Sequence, residues 1–161
     1  MIPSFDTENS AVTVSFWFKE VTAPGTTASL VEFQSQQNAP IYLRSEVKDL
    51  YWSGAGMARA PSTTGAGNIP VGQWHCVSIY LTKGGNMTLS YFNAAEPMKV
   101  QTVVVDQMPT PNVDDLWINS LPEPARTILG RPKLGSSPVD PGDFAFDDVR
   151  IVHGKTNVCG L

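Results

Sequence analysis

No stretch of the 161 residues is apolar for the roughly 18 positions that a membrane-crossing helix requires. Insertion into a bilayer is therefore not expected. Charge is scarce as well, at 16% of residues against roughly 25% in an average soluble domain. The shortage is greatest on the basic side, with 11 Lys and Arg against 15 Asp and Glu and a formal net charge of -4. Those few cations are scattered, so no basic stripe could track a phosphate backbone, and nucleic acid is not an expected partner. Met1 to Asp6 has neither the basic start nor the apolar run of a secretory leader. A secreted form of this chain would be a mature fragment.

Cysteine is nearly missing, and the two that occur, Cys76 and Cys159, have no metal-binding or redox spacing. Their even number leaves two readings open. One is a Cys76–Cys159 disulfide; the other is a buried thiol at Cys76, inside an apolar strand, with Cys159 free or paired outside this segment. Helical periodicity is missing too, since no segment repeats its apolar residues convincingly at the helical spacing.

What is present is period two. In AVTVSFWFK, Val12, Val14, Phe16 and Phe18 fall on one face and Thr13, Ser15, Trp17 and Lys19 on the other. Comparable runs are Ser29 to Phe33, Pro40 to Ser45, Leu50 to Gly54, Trp74 to Thr82, Met87 to Asn93, Lys99 to Val105, Arg126 to Gly130 and Phe144 to Val152. Nine strand candidates, with 13 glycines and 13 prolines to punctuate them, predict an all-β chain of a length that suits one domain. Between Thr82 and Met87, KGGN supplies the glycines that a hairpin needs, which predicts that Ile79 lies opposite Leu89 or its neighbours.

Three stretches read as loops: Ala58 to Pro70, Met108 to Pro124 and Gly135 to Gly142. Long connections are where function usually sits. The second holds an acidic pair, Asp114 and Asp115, beside Trp117; solvated carboxylates are ordinary in such a loop. Phe144 and Phe146 share one parity, whereas Val149 and Ile151 share the other, so the last strand breaks its period at Asp147 and Asp148. Such a break implies a β-bulge or burial on both faces, and it leaves adjacent carboxylates of which at least one needs a partner. The partner could be a cation or Arg150.

The order TVSFWFK, GQWHCVSIY, MTLSYFN, TILGRP, FAFDDVRIV resembles the laminin-G-like and pentraxin-like jelly rolls of the concanavalin A-like lectin/glucanase group, over roughly Val12 to Val152. The resemblance implies a two-sheet antiparallel jelly-roll β-sandwich occupying residues 1–161, with Trp17 and Trp74 as large fillers between the sheets. Relatives commonly begin with a strand that pairs with the last one. Here only Ile2 to Thr7 is available for it, which fits a segment of a longer extracellular protein whose missing strand comes from elsewhere. The resemblance also points to a structural calcium ion, for which Asp147 and Asp148 are candidate ligands and Asp6, expected beside the last strand, a third. Calcium takes six to eight oxygens, so backbone carbonyls or waters would complete such a site.

Sugar recognition needs an exposed aromatic platform with polar groups beside it. Trp117 with Asn119, and Trp52 with Tyr51 and Arg44, are the candidates; Trp117 packing its own loop onto the sandwich is the structural alternative. Asn86, Met87 and Thr88 form an N-glycosylation sequon at the expected hairpin tip. Related sandwiches include glucanases and polysaccharide lyases. The paired carboxylates of a glucanase strand and the Gln-Ile-His strand of a lyase are both missing, and neither His75 nor His153 has a catalytic partner in a local motif. The expectation is a non-enzymatic recognition or adhesion module on an extracellular, cell or virion surface, binding a glycan or an extracellular protein through sandwich loops. The alternative is a structural building block of a filament, appendage or virion surface, meeting copies of itself or flanking domains.

Overall fold

The computed structural model describes residues 10–21, 28–34, 41–46, 49–54, 70–84, 87–105, 126–131, 143–156 and 159. Each of the nine expected runs forms a strand: β1 Ala11–Glu20, β2 Ala28–Gln34, β3 Ile41–Glu46, β4 Asp49–Gly54, β5 Trp74–Thr82, β6 Met87–Asn93, β7 Gln101–Val105, β8 Arg126–Arg131 and β9 Phe144–His153. They make a five-stranded sheet, β7-β6-β5-β1-β9, and a four-stranded sheet, β4-β3-β2-β8. Every neighbouring pair is antiparallel. The chain is thus all-β, as its period-two runs require.

Alternation decides what each sheet buries. On β1, Val12, Val14, Phe16 and Phe18 are fully buried, and they lie opposite Leu81, Ile79, Val77 and His75 of β5. Leu30, Val31, Phe33 and Leu43 of the other sheet join the same core, with Leu129, Phe144, Phe146 and Ile151 packed against it. Phe16 anchors it through tilted contacts to Phe18 and Phe146, with ring centroids 6.4 and 5.8 Å apart. A fully buried side chain of this size contributes about 1.5–3 kcal/mol of transfer free energy.

The glycine hairpin forms as expected, with Ile79 opposite Leu89 and Gly84 at φ 96°, a conformation that costs glycine nothing. β7 starts two residues later than its sequence run. Lys99 N–H donates to the Glu96 carbonyl at 2.9 Å and its ammonium pairs with Glu96 Oε1 at 2.6 Å, which holds Lys99 in a turn. On β2, register against β3 shifts between Ser29 and Val31, so Leu30 is an extra residue there.

Trp17 and Trp74 do not fill the space between the sheets. Trp17 pairs with Cys76, and Lys19 with Trp74, so both indoles belong to the opposite parity from Phe16 and Phe18 and lie on the outward face of the five-stranded sheet.

Candidate functional site

That outward face carries aromatic and cation contacts of its own. Trp17 meets the buried Phe92 edge-on, centroids 5.4 Å apart and planes at 89°, and the Lys19 ammonium sits 4.9 Å from the Trp74 ring centroid. The segment after β9 returns across this face. Gly154 N–H donates to the Ala11 carbonyl at 2.9 Å, the Thr13 hydroxyl donates to the Gly154 carbonyl at 2.6 Å, and Lys155 lies 5.9 Å over Tyr80. Cys159 then bonds Cys76, Cα atoms 6.1 Å apart. This cover explains why Ser15 and Ser78, on the outward parity, are buried at 2% and 4% exposure.

The parity break in β9 is a β-bulge. Against β1, Ser15 faces Arg150 while Trp17 faces Asp147, so Asp148 and Val149 together oppose Phe16. Asp148 takes φ 46°, a left-handed conformation that Asp tolerates better than most side chains because it can bond locally. The local bonds are present: Asp148 N–H donates to Asp147 Oδ1 at 2.8 Å, and Arg150 donates through Nε to Asp148 Oδ1 at 2.8 Å and lies 2.7 Å from Oδ2 through its NH2 group. That fork raises the Arg150 pKa, first through the hydrogen bond and then through the Asp148 charge. Both carboxylates face solvent. The bulge turns them outward, and of the two partners the sequence allowed, Arg150 is the one Asp148 has. Asp6 lies outside the described residues, and among those described no three His, Cys, Asp or Glu side chains converge on a metal position.

The sugar-platform candidates separate. Trp117 and Asn119 lie outside the described residues, as do Asn86 of the sequon and the acidic pair Asp114 and Asp115. On the four-stranded sheet, Trp52 pairs with Leu43 whereas Tyr51 pairs with Arg44. The register therefore puts Tyr51 and Arg44 at one parity and Trp52 at the other, so the three do not share a face.

Sequence reasoning placed His75 in a core strand but missed its surroundings. The ring is wholly buried, stacked on Tyr91 at 5.5 Å and 10° and tilted against Phe18 at 5.5 Å. Neither ring nitrogen has a hydrogen-bond partner among the described residues. Burial pulls its pKa down to about 4, the nearby Gln73 backbone opposing the shift without reaching hydrogen-bond geometry. Burial likewise pushes the Tyr91 phenol up, and the charge of Glu20 pushes it further. The signal was available: His75 shares its parity with Val77, Ile79 and Leu81.

A family model described as Concanavalin A-like lectin/glucanases superfamily matches residues 1–157. Comparison with curated proteins gives no significant match. Among solved structures, a Trypanosoma rangeli sialidase mutant displaying trans-sialidase activity is similar at TM-score 0.58 and 16% identity, over 93% of this chain and 22% of that one. An alginate lyase from Pseudomonas aeruginosa is similar at TM-score 0.57 and 12% identity, over 94% of this chain and 68% of the lyase. The binding domain of a botulinum neurotoxin of serotype D/C is similar at TM-score 0.52 and 13% identity, over 93% of this chain and 34% of that one. The chain thus spans about a fifth of the sialidase it resembles. At these identities the likeness is one of fold.

Proposed function

The chain belongs to the concanavalin A-like lectin/glucanase superfamily, and from that membership we propose that it is a non-catalytic recognition module that binds a glycan or an extracellular protein through loops of the sandwich. The observation that carries this reading is where three of the described ionisable side chains go. His75 is neutral and stacked in the core, Asp148 is forked by Arg150, and Glu96 is held by Lys99. General acid–base chemistry needs a carboxylate or imidazole poised toward a substrate, and these groups are spent on the scaffold. A rigid frame that presents loops fits recognition.

The similar folds in a neurotoxin binding domain and in two carbohydrate-active enzymes support glycan or protein ligands as the class. The loop from Met108 to Pro124, with Trp117 and Asn119, is the contact surface we assign, an indole for the C–H face of a sugar and an amide for its hydroxyls. A surface or secreted location follows from this role. A glycan array probed with wild type and Trp117→Ala tests it: saturable wild-type binding that the substitution weakens by about tenfold, the loss of one stacking contact, supports the sugar version. Silence across a broad array moves the ligand to protein.

A further inference from the structure

Apart from that reading, we propose that the Cys76–Cys159 bond is a redox latch: a dithiol that reduces it frees the segment beyond Gly154 from the outer face of the five-stranded sheet and bares that face, while the sandwich stays folded. Register sets Trp17, Cys76 and Phe92 in one row across β1, β5 and β6. The next row is Ser15, Ser78, Ser90 and Thr102, which runs on to β7. Along it exposure climbs from 2% at Ser15 and 4% at Ser78 to half-buried at Ser90 and exposed at Thr102. The cover of that row therefore lies over β1 and β5. Cys159 sits at that place, its Sγ 3.7 Å from the Phe16 carbonyl of β1 and 3.8 Å from the Val77 carbonyl of β5.

Among the described residues, little but the disulfide holds the segment there. Gly154 is fixed at the rim of β1 by its two hydrogen bonds. Beyond it Lys155 and Thr156 are exposed, and Lys155 reaches only the 5.9 Å contact with Tyr80, a kind of interaction that is weak at exposed sites. Cys159 takes φ 45°, in the left-handed region that is unfavourable for a residue with a Cβ, so opening the bond relieves its backbone. Strained or exposed disulfides are the readily reduced ones. The core does not depend on the latch, because Val12, Val14, Phe16 and Phe18 are buried on the opposite face of β1. The two sulfurs also differ in access, Cys76 being wholly buried and Cys159 only partly. A thiolate of the dithiol therefore attacks Cys159 Sγ; a mixed disulfide forms, and Cys76 leaves with the S–S electron pair and takes a proton. The dithiol's second thiol then attacks its own sulfur in the mixed disulfide and expels Cys159 as a thiolate, which is protonated in turn. The protein's bond is reduced to two thiols and the dithiol is oxidised to a disulfide.

Dithiothreitol added to the intact wild-type chain under native conditions tests the proposal. Three quantities are read with and without it: trypsin cleavage after Lys155, alkylation of Cys76 by iodoacetamide, and hydrogen exchange of the β1 amides of residues 12–18. Once the bond is reduced, cleavage after Lys155 is expected to quicken by about tenfold or more and Cys76, now uncovered, to be alkylated, while exchange in β1 stays within about twofold. Cys76→Ser with Cys159→Ser should show the fast cleavage with or without dithiothreitol. Free thiols with unchanged cleavage, or a Cys76 that stays closed to iodoacetamide, overturn the proposal. So does protection lost throughout β1, which would make the bond a staple of the whole fold, or a bond that dithiothreitol cannot reduce while the sandwich is folded.

Discussion

His75 occupies an apolar slot between Phe18 and Tyr91, where protonation would leave a charge without water. The unfolded chain takes up that proton near pH 6.5, the folded chain only near 4. Its contribution to stability is therefore complete above pH 6.5 and is lost as the pH falls from 6.5 toward 4, because the unfolded state binds more protons across that window. The span corresponds to about 3 kcal/mol. Denaturant melts across pH 7 to 4 should show this acid-side decline in wild type, reduced by that order in His75→Phe, which keeps an aromatic ring in the slot; identical pH profiles would remove His75 as the cause. The position of His75 on the core face was legible from its parity with Val77 and Ile79. Its stacking on Tyr91, and the pressure of Glu20 on that phenol, were not, because they depend on which strands lie side by side.

At the scale of elements, β9 shows how much a single extra residue decides. Period two in Phe144 to Ile151 fails at Asp147 and Asp148, and the fold answers with a bulge that returns Ile151 to the core opposite Val14. Asp148 bears the cost in its backbone, at φ 46°. Asp148→Gly should therefore leave stability almost unchanged, whereas Asp148→Val, whose branched side chain resists that conformation, should lose about 1–2 kcal/mol. Equal effects in chemical melts would mean that the Arg150 fork and not the backbone governs the site. The strands and the hairpin register were legible because alternation and paired glycines act locally. The faces of Trp17 and Trp74 were misjudged from their size. Their parity already opposed Phe16 and Phe18, and a tail that covers the outer face was not visible in any one strand.

For the whole molecule, the sheet pair encloses one core and the Cys76–Cys159 bond ties the chain's end across its outside, bridging 83 positions. Closing so long a loop restricts the unfolded chain, an effect worth about 4 kcal/mol in the chain-entropy account. Mass analysis without reductant should find both thiols absent, and Cys76→Ser with Cys159→Ser should lower the melting temperature by roughly 10 °C; free thiols in the native protein would return the choice to a buried Cys76. The proposed binding residues are the part least legible from sequence, since Trp117, Asn119 and the three long stretches around them and elsewhere follow no period that fixes their place. Recognition without turnover is tested by recovering the glycans retained by the immobilised chain and weighing them. Saturable retention of intact glycan, weakened in Trp117→Ala, is the expected result. Shortened or unsaturated products released from the same glycans would contradict it.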